Sequence, residues 1–291
     1  MCLAICGVIF YHLCLQGIPI GRLNIGYMGV DVFMLLSGYG IAKSLSRNSI
    51  KQFYIHRARR ILPLWIIMIG ASYVINLLMG GVNDSIDVFL LNITSLSFYY
   101  NPDLSPEWYL ATLILFYAIS PLLKNLLEKG GWGLLLLISF AIIMEEEFWG
   151  TGRWQYANAI GRFPLYLLGM LCAIKNREDL PYKVTIPLFF LSIIFFFQNA
   201  HYLFSSYAVL LLIQVTNKLI DRWIIFKNDL FDWIGSHTLE LYVGNTIAAV
   251  ITHQYIFHIE MNVLIKVSID IIMTIILSLL LWKANSQLQK L

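Results

Sequence analysis

Residues 61–80 read ILPLWIIMIGASYVINLLMG, twenty consecutive residues without a charge, directly after the basic run Arg57-Ala58-Arg59-Arg60. A helix crossing the ~30 Å hydrocarbon core of a bilayer needs about 20 mostly apolar residues. Basic residues at one end of such a run mark the side that stays in the cytoplasm. This stretch therefore reads as a transmembrane helix entering from the cytoplasmic face. Working outward, nine further stretches carry the same apolar character: 1–20, 27–45, 107–125, 132–149, 159–175, 183–199, 202–219, 233–256 and 260–283. A shorter apolar run, 86–100, is too short to span and reads as an interfacial or re-entrant element. The fold class expected is an all-α, polytopic membrane helix bundle of about ten transmembrane helices. No internal repeat and no low-complexity linker interrupts it, so residues 1–291 read as one domain.

Composition agrees. The chain of 291 residues is 59% hydrophobic and only 13% charged, with a mean hydropathy of +0.72. A soluble domain carries about 25% charged residues. The shortfall excludes a soluble enzyme, a disordered chain and a secreted disulfide scaffold. The net charge of +3 is too small to point to nucleic acid. With alternate loops inside and both termini cytoplasmic, the inner face holds all of the 20 basic residues except Arg22, Arg153, Arg162 and Lys266. The opposite orientation inverts that ratio, so both termini are expected in the cytoplasm. Cys2, Cys6, Cys14 and Cys172 have no metal-like spacing and read as small apolar residues. The first run is too short for a full crossing, which leads to the expectation that a turn or more of helix precedes Met1.

Ionisable groups inside spans are costly and mark candidate sites. Here they are His12, Asp31, Arg162, Glu240 and Asp270. His12, in GVIFYHLCLQ, suits either a hydrogen bond to a neighbouring helix or a general base that takes a hydroxyl proton. Asp31, in YMGVDVFMLLSGYGI, could orient that histidine as a carboxylate does in a catalytic triad. The small residues Gly29, Ser37, Gly38 and Gly40 around it suit close helix approach. Arg57, Arg59 and Arg60 serve either as the topology anchor or as a phosphate site, because guanidinium groups bind phosphate bidentately. Residues 57 and 60 share a helix face and 59 points elsewhere. Glu107 and Trp108 open a span in SPEWYLATLILFY, where Pro106 suits the first turn and Glu107 favours the positive end. Trp108 also suits an interfacial belt. Glu145, Glu146 and Glu147 read as a solvated helix end. Glu240, near His237 and Tyr242, suits a hydrogen-bond network or a polar cavity. His201, His253 and His258 fall near span ends. No HExxH, Walker A, GxGxxG or GxSxG pattern occurs, and no metal site is expected.

Taken in order, these elements resemble the acyltransferase 3 family of membrane acyl-CoA-dependent O-acyltransferases that modify surface glycans. His12 stands where that family has its first-span histidine. Gly29, Val30, Asp31, Phe33, Ser37 and Gly38 resemble its G-V-D-x-F-F-x-x-S-G-F element. Phe53, Arg57, Arg60, Ile61 and Pro63 resemble F-x-x-R-R-x-x-R-I-x-P. EWYLATLILFYAISPLL, GRFPLYLLGMLCA and IGSHTLELYV resemble three further family elements. Two positions depart. The family arginine eleven residues before the histidine falls on Met1, and the histidine that often ends the late element is Asn245.

The resemblance implies an integral bacterial inner-membrane enzyme that moves an acyl group, expected to be acetyl, from cytoplasmic acyl-CoA to a hydroxyl of an extracytoplasmic glycan. Exopolysaccharide, capsule, lipopolysaccharide and peptidoglycan are the acceptor candidates. His12 would be the base or a transient acyl carrier, with Asp31 orienting it. Arg57, Arg59 and Arg60 would hold the donor phosphates. Ser37, Glu107, Trp108, Glu240 and Tyr242 would line the cavity or the acceptor mouth. Asn245 keeps a hydrogen bond but carries no proton at neutral pH. Acyl-CoA is then a co-substrate rather than a bound cofactor, and the expected partners are membrane lipids and a glycan or lipid-linked sugar. Rival readings are a flippase for lipid-linked glycans, whose interrupted repeats are not found, and a non-catalytic subunit of an envelope-assembly machine.

Overall fold

The computed structural model describes residues 1–15, 26–79, 85–105, 107–149, 154–177, 180–197, 201–222, 229–252 and 262–288. Pro106, His253 and His258 lie outside the described residues, as do the side chains of Glu145, Glu146, Glu147 and His201. The elements are α1 (Cys2–Leu15), α2 (Met28–Arg47), α3 (Ile50–Met79), α4 (Ile86–Ile93) and α5 (Leu96–Tyr100), then α6 (Trp108–Trp149), α7 (Trp154–Gly161), α8 (Phe163–Ile174) and α9 (Tyr182–Phe197), and finally α10 (His201–Arg222), α11 (Asp229–Ser236), α12 (Thr238–Ile251) and α13 (Val263–Leu288). A short 3₁₀ turn, Pro102–Leu104, lies before α6. Among the described residues the all-helical expectation holds.

Among the described residues, three helices are long and apolar enough to cross a bilayer: Ile50–Leu78, Trp108–Ile142 and Val263–Leu288. Shorter apolar helices cover Cys2–Cys14, Asn158–Ile174, Tyr182–Ile194, Tyr207–Leu219 and Thr238–Ile251. Element boundaries differ from the sequence expectation at several places, among them 159–175, which is divided between α7 and α8. The runs 107–125 and 132–149 are not parted by a loop. They form α6, bent at Gly131, whose φ of +52° is a backbone conformation glycine adopts without Cβ strain. The run 233–256 is broken at His237, where α11 ends and α12 begins. The run 86–100 folds as two short helices, α4 and α5.

Burial on α13 is inverted relative to a soluble protein. On α13 the buried residues are Asp270, Thr274, Ser278, Leu281 and Asn285. Their spacing of four, four, three and four residues puts them on one helix face. Ile272, Ile275, Ile276, Leu279 and Leu280 point outward. Polar side chains inside and aliphatic ones outside is the arrangement a lipid solvent selects.

The chain packs as two compact units. The first comprises residues 1–27, 55–111 and 230–291, and the second residues 28–54 and 112–229. In the first, α12 packs on α13 and on α1. A Cβ on Gly26 would overlap the Gly7 carbonyl, so the backbone at Gly26 lies flush against α1. Trp65 of α3 is buried and donates its indole N–H to the Ile93 carbonyl at 2.9 Å, pinning α4.

In the second unit, α2 and α8 interlock through two glycines. A Cβ on Gly38 would fall on the Tyr166 carbonyl, and one on Gly169 would fall on that of Leu35. These are backbone atoms and cannot rotate away, which is the small-residue packing the α2 sequence predicts. Gly40, two residues on, has open space around its Cβ position. Gly38→Ala is therefore expected to abolish the folded, monodisperse fraction in detergent chromatography, whereas Gly40→Ala should leave it unchanged or slightly raised. Equal behaviour of the two variants would refute the packing argument. Elsewhere in this unit, the Thr185 hydroxyl donates to Gln214 Oε1 at 2.8 Å, joining α9 to α10.

Candidate functional site

The first unit gathers most of the residues the sequence singles out. His12 sits near the C-terminal end of α1, about 16 Å along the helix from Met1 at ~1.5 Å per residue. It is half-buried, and its Nδ1 lies 2.6 Å from Asn245 Oδ1 on α12. The other end of the same amide, Nδ2, donates to Thr274 Oγ1 of α13 at 3.2 Å. With Oδ1 turned to the ring, Nδ1 carries the hydrogen of the neutral imidazole and donates it. The lone pair then resides on Nε2, the tautomer a general base needs. Asn245 and Thr274 are both buried, so the arrangement is shielded from solvent. An amide can hold a catalytic histidine in this way, as the third member of a Cys-His-Asn triad does.

The local fold explains why these groups meet. Helices α12 and α13 approach so closely at Gly244 that a Cβ there would collide with the Ser278 hydroxyl. That close contact brings the neighbouring Asn245 within reach of Thr274. The contact of α1 with α12 then delivers His12 to the amide oxygen.

Two further clusters lie in the same unit. Glu107 precedes the first turn of α6 and is buried. Its Oε2 accepts the Leu110 N–H at 2.8 Å. This is an N-cap contact, and the helix dipole favours a carboxylate there. Its Oε1 accepts the Tyr242 hydroxyl at 2.5 Å. The Tyr109 and Tyr242 rings lie 4.9 Å apart, and Trp108 packs edge-on against Tyr109. Glu240, in the first turn of α12, accepts from Asn285 Nδ2 of α13 at 2.8 Å. His237 stacks on Trp233 and meets Trp282 edge-on, with Nδ1 donating to the Trp233 carbonyl at 2.8 Å. The structure thus gives Glu240 its partner in Asn285 and gives Tyr242 its partner in Glu107.

Arg57, Arg59 and Arg60 all lie on α3, Arg57 half-buried and the other two exposed. At 30 residues α3 is about 45 Å long, longer than a hydrocarbon core, so its basic first turns reach beyond it. Pro63 cannot donate to the Arg59 carbonyl, which leaves that carbonyl without its helical donor beside the cluster.

Asp31 and Ser37 belong to α2, in the second unit. Ser37 is half-buried. Asp31 is fully buried and faces Arg162, with Oδ1 3.3 Å from Nε and Oδ2 3.5 Å from Nη2. Arg162 Nη1 also donates to the Asn158 carbonyl at 3.1 Å and to Asn158 Oδ1 at 2.7 Å. Sequence reasoning set Asp31 beside His12 as its orienting group. The structure assigns the hydrogen bond at His12 Nδ1 to Asn245 and places the Arg162 guanidinium on Asp31. The sequence marks Arg162 only as an intramembrane ion and gives Asn245 a hydrogen bond without a proton to carry. The usable signal was that each is a polar residue in an apolar span, which must find a partner.

Fold and site together define a multi-helix membrane protein with a histidine hydrogen-bonded between two of its helices. The chain belongs to the acyltransferase 3 family, whose profile, described as "Acyltransferase domain", matches residues 2–283. Its relatives include the Staphylococcus aureus proteins named "Putative O-acetyltransferase SACOL0978" (strain COL) and "Putative O-acetyltransferase SAS0844" (strain MSSA476). Each is 25% identical over an alignment covering 94% of this chain and 53% of the relative. The chain thus spans about half the length of the curated relatives it matches. No solved structure matches this chain.

Proposed function

We propose that this protein is an O-acyltransferase of the bacterial inner membrane that carries an acyl group, acetyl in the simplest case, from cytoplasmic acyl-CoA to a hydroxyl of an extracytoplasmic glycan. The observation that carries the proposal is the His12–Asn245–Thr274 chain, in which Nδ1 of His12 meets the Asn245 amide and Nε2 is the other ring nitrogen a hydroxyl could reach. In the reaction, Nε2 takes the proton of the acceptor hydroxyl as that oxygen attacks the thioester carbonyl carbon. The tetrahedral intermediate collapses with cleavage of the carbon–sulfur bond. The leaving CoA sulfur then takes the proton back from the imidazolium, and the base is regenerated.

Arg57, Arg59 and Arg60 hold the donor phosphates on the cytoplasmic side, the orientation supported by the charge asymmetry of the loops. Glu107, Trp108, Glu240 and Tyr242 form the acceptor-side lining, where aromatic faces and hydrogen-bonded carboxylates suit a sugar. Isotopically labelled acetyl-CoA supplied to membranes tests the proposal. Label transferred to surface glycan is the expected result. Glycan movement without transfer would replace the proposal with a flippase, and neither with a structural role. Arg57→Ala combined with Arg60→Ala is expected to raise KM for acyl-CoA about tenfold or more, because charge-assisted hydrogen bonds to phosphate contribute ~1.5–3 kcal/mol each. Membrane insertion should persist. An inverted orientation in a cysteine-accessibility assay would instead assign these arginines to topology alone.

A further inference from the structure

Asp270 takes no part in the scheme above. It is fully buried on α13, a helix whose remaining surface is largely exposed aliphatic side chains. A carboxylate inside a membrane protein is costly unless it has a use. Its Oδ1 accepts the hydroxyl of Thr252, the C-cap of α12, at 2.9 Å. One turn further along the same face of α13 is Thr274, which receives the Asn245 amide. Asp270 therefore lies in the same α12–α13 seam that orients His12.

We infer that Asp270 is the positioning carboxylate of the His12 base, supplying across the α12–α13 seam the negative charge that the neutral Asn245 cannot. The inference deepens the acyl-transfer reading and rests on it for its role in the reaction. The reason is chemical. When His12 takes the acceptor proton it becomes a cation in a medium of low dielectric, where a nearby fixed anion is worth far more than in water. Asn245 fixes the ring by a hydrogen bond but carries no charge. Asp31 already faces the Arg162 guanidinium. Asp270 accepts the Thr252 hydroxyl, a neutral donor that fixes the direction of the carboxylate.

The test treats the full chain in membrane vesicles with diethyl pyrocarbonate, which acylates neutral imidazole. The extent at His12 is read by mass spectrometry, with exposed His56 as internal control. At about pH 8.5, roughly two units above the ordinary imidazole value, the rate reports how basic and how accessible Nε2 is. Asp270→Asn is expected to slow modification of His12 several-fold and leave His56 unchanged. Thr252→Val, which removes only the hydroxyl donor, should slow it by less. In the transfer assay Asp270→Asn should lower kcat about tenfold or more with KM for acyl-CoA unchanged. An unchanged rate at His12 overturns the inference. So does a faster rate, which would mean that Asp270 merely holds the helices together. If Asp270→Asn does not insert, the result with Thr252→Val decides by the same criteria. Slower His12 modification in a chain that transfers no acyl group would refute the acyl-transfer reading and leave the positioning of His12 by Asp270 standing.

Discussion

His12→Ala is expected to reduce O-acyl transfer to surface glycan by about 10²–10⁴-fold, the range a positioned general base contributes. His12→Gln should do the same. Glutamine keeps a polar side chain of similar reach and can still meet Asn245, but it offers no nitrogen lone pair to take the hydroxyl proton. The pair therefore separates the two roles a polar residue can have in this span. If His12 only ties α1 to α12, the glutamine variant keeps its activity and the alanine variant loses membrane abundance. If His12 is the base, both variants accumulate normally and both are inactive. Asn245→Ala belongs to the same series. It removes the acceptor at Nδ1, so the ring loses its fixed tautomer, and activity should fall without reaching the level of the His12 variants. The measurement is O-acyl content of surface glycan per unit of membrane-inserted protein. Retained acylation in both His12 variants would end the catalytic assignment.

Arg162→Ala is expected to lower the yield of folded protein sharply. It leaves the fully buried Asp31 carboxylate without the Arg162 guanidinium. Breaking one side of a buried pair costs about 3–5 kcal/mol, a large part of the ~5–15 kcal/mol that keeps a folded domain together. Asp31→Asn should be harmful by the same mechanism, now leaving the cation. Replacing both partners by apolar residues of similar volume, Asp31→Leu with Arg162→Met, should restore much of the yield, because no buried charge remains. Thermal unfolding in detergent reads the effect. A double variant no better than either single one would show that the pair is not an energetic unit. The restored double variant also separates Asp31 from the fold. Normal transfer in it would assign Asp31 to structure, and loss of transfer with restored folding would assign it to the reaction.

Much of this was readable beforehand from residue chemistry. Uncharged runs such as 61–80 have one stable solution in a bilayer, a helix with all its backbone hydrogen bonds internal, and that made the chain all-helical on paper. His12, Asp31, Glu240 and Asp270 were legible as candidates for the same reason: an ionisable side chain among apolar ones must be kept for something. Element ends were less legible. Gly131 lets two apolar runs join across a bend, and His237 divides a run that looked continuous. A membrane-like composition constrains neither, since both depend on how a single residue's backbone fits its neighbours.

The sequence by itself determined the solvent, the helical class and the short list of polar groups, because hydrophobicity and intramembrane charge are properties of residues taken one at a time. The pairing of those groups was decided only by the tertiary structure. Asn245 stands 233 residues from His12, and Arg162 stands 131 from Asp31. Which amide reaches which ring depends on where two backbones can touch. That is set by the lack of a Cβ at Gly244 in one unit and at Gly38 and Gly169 in the other.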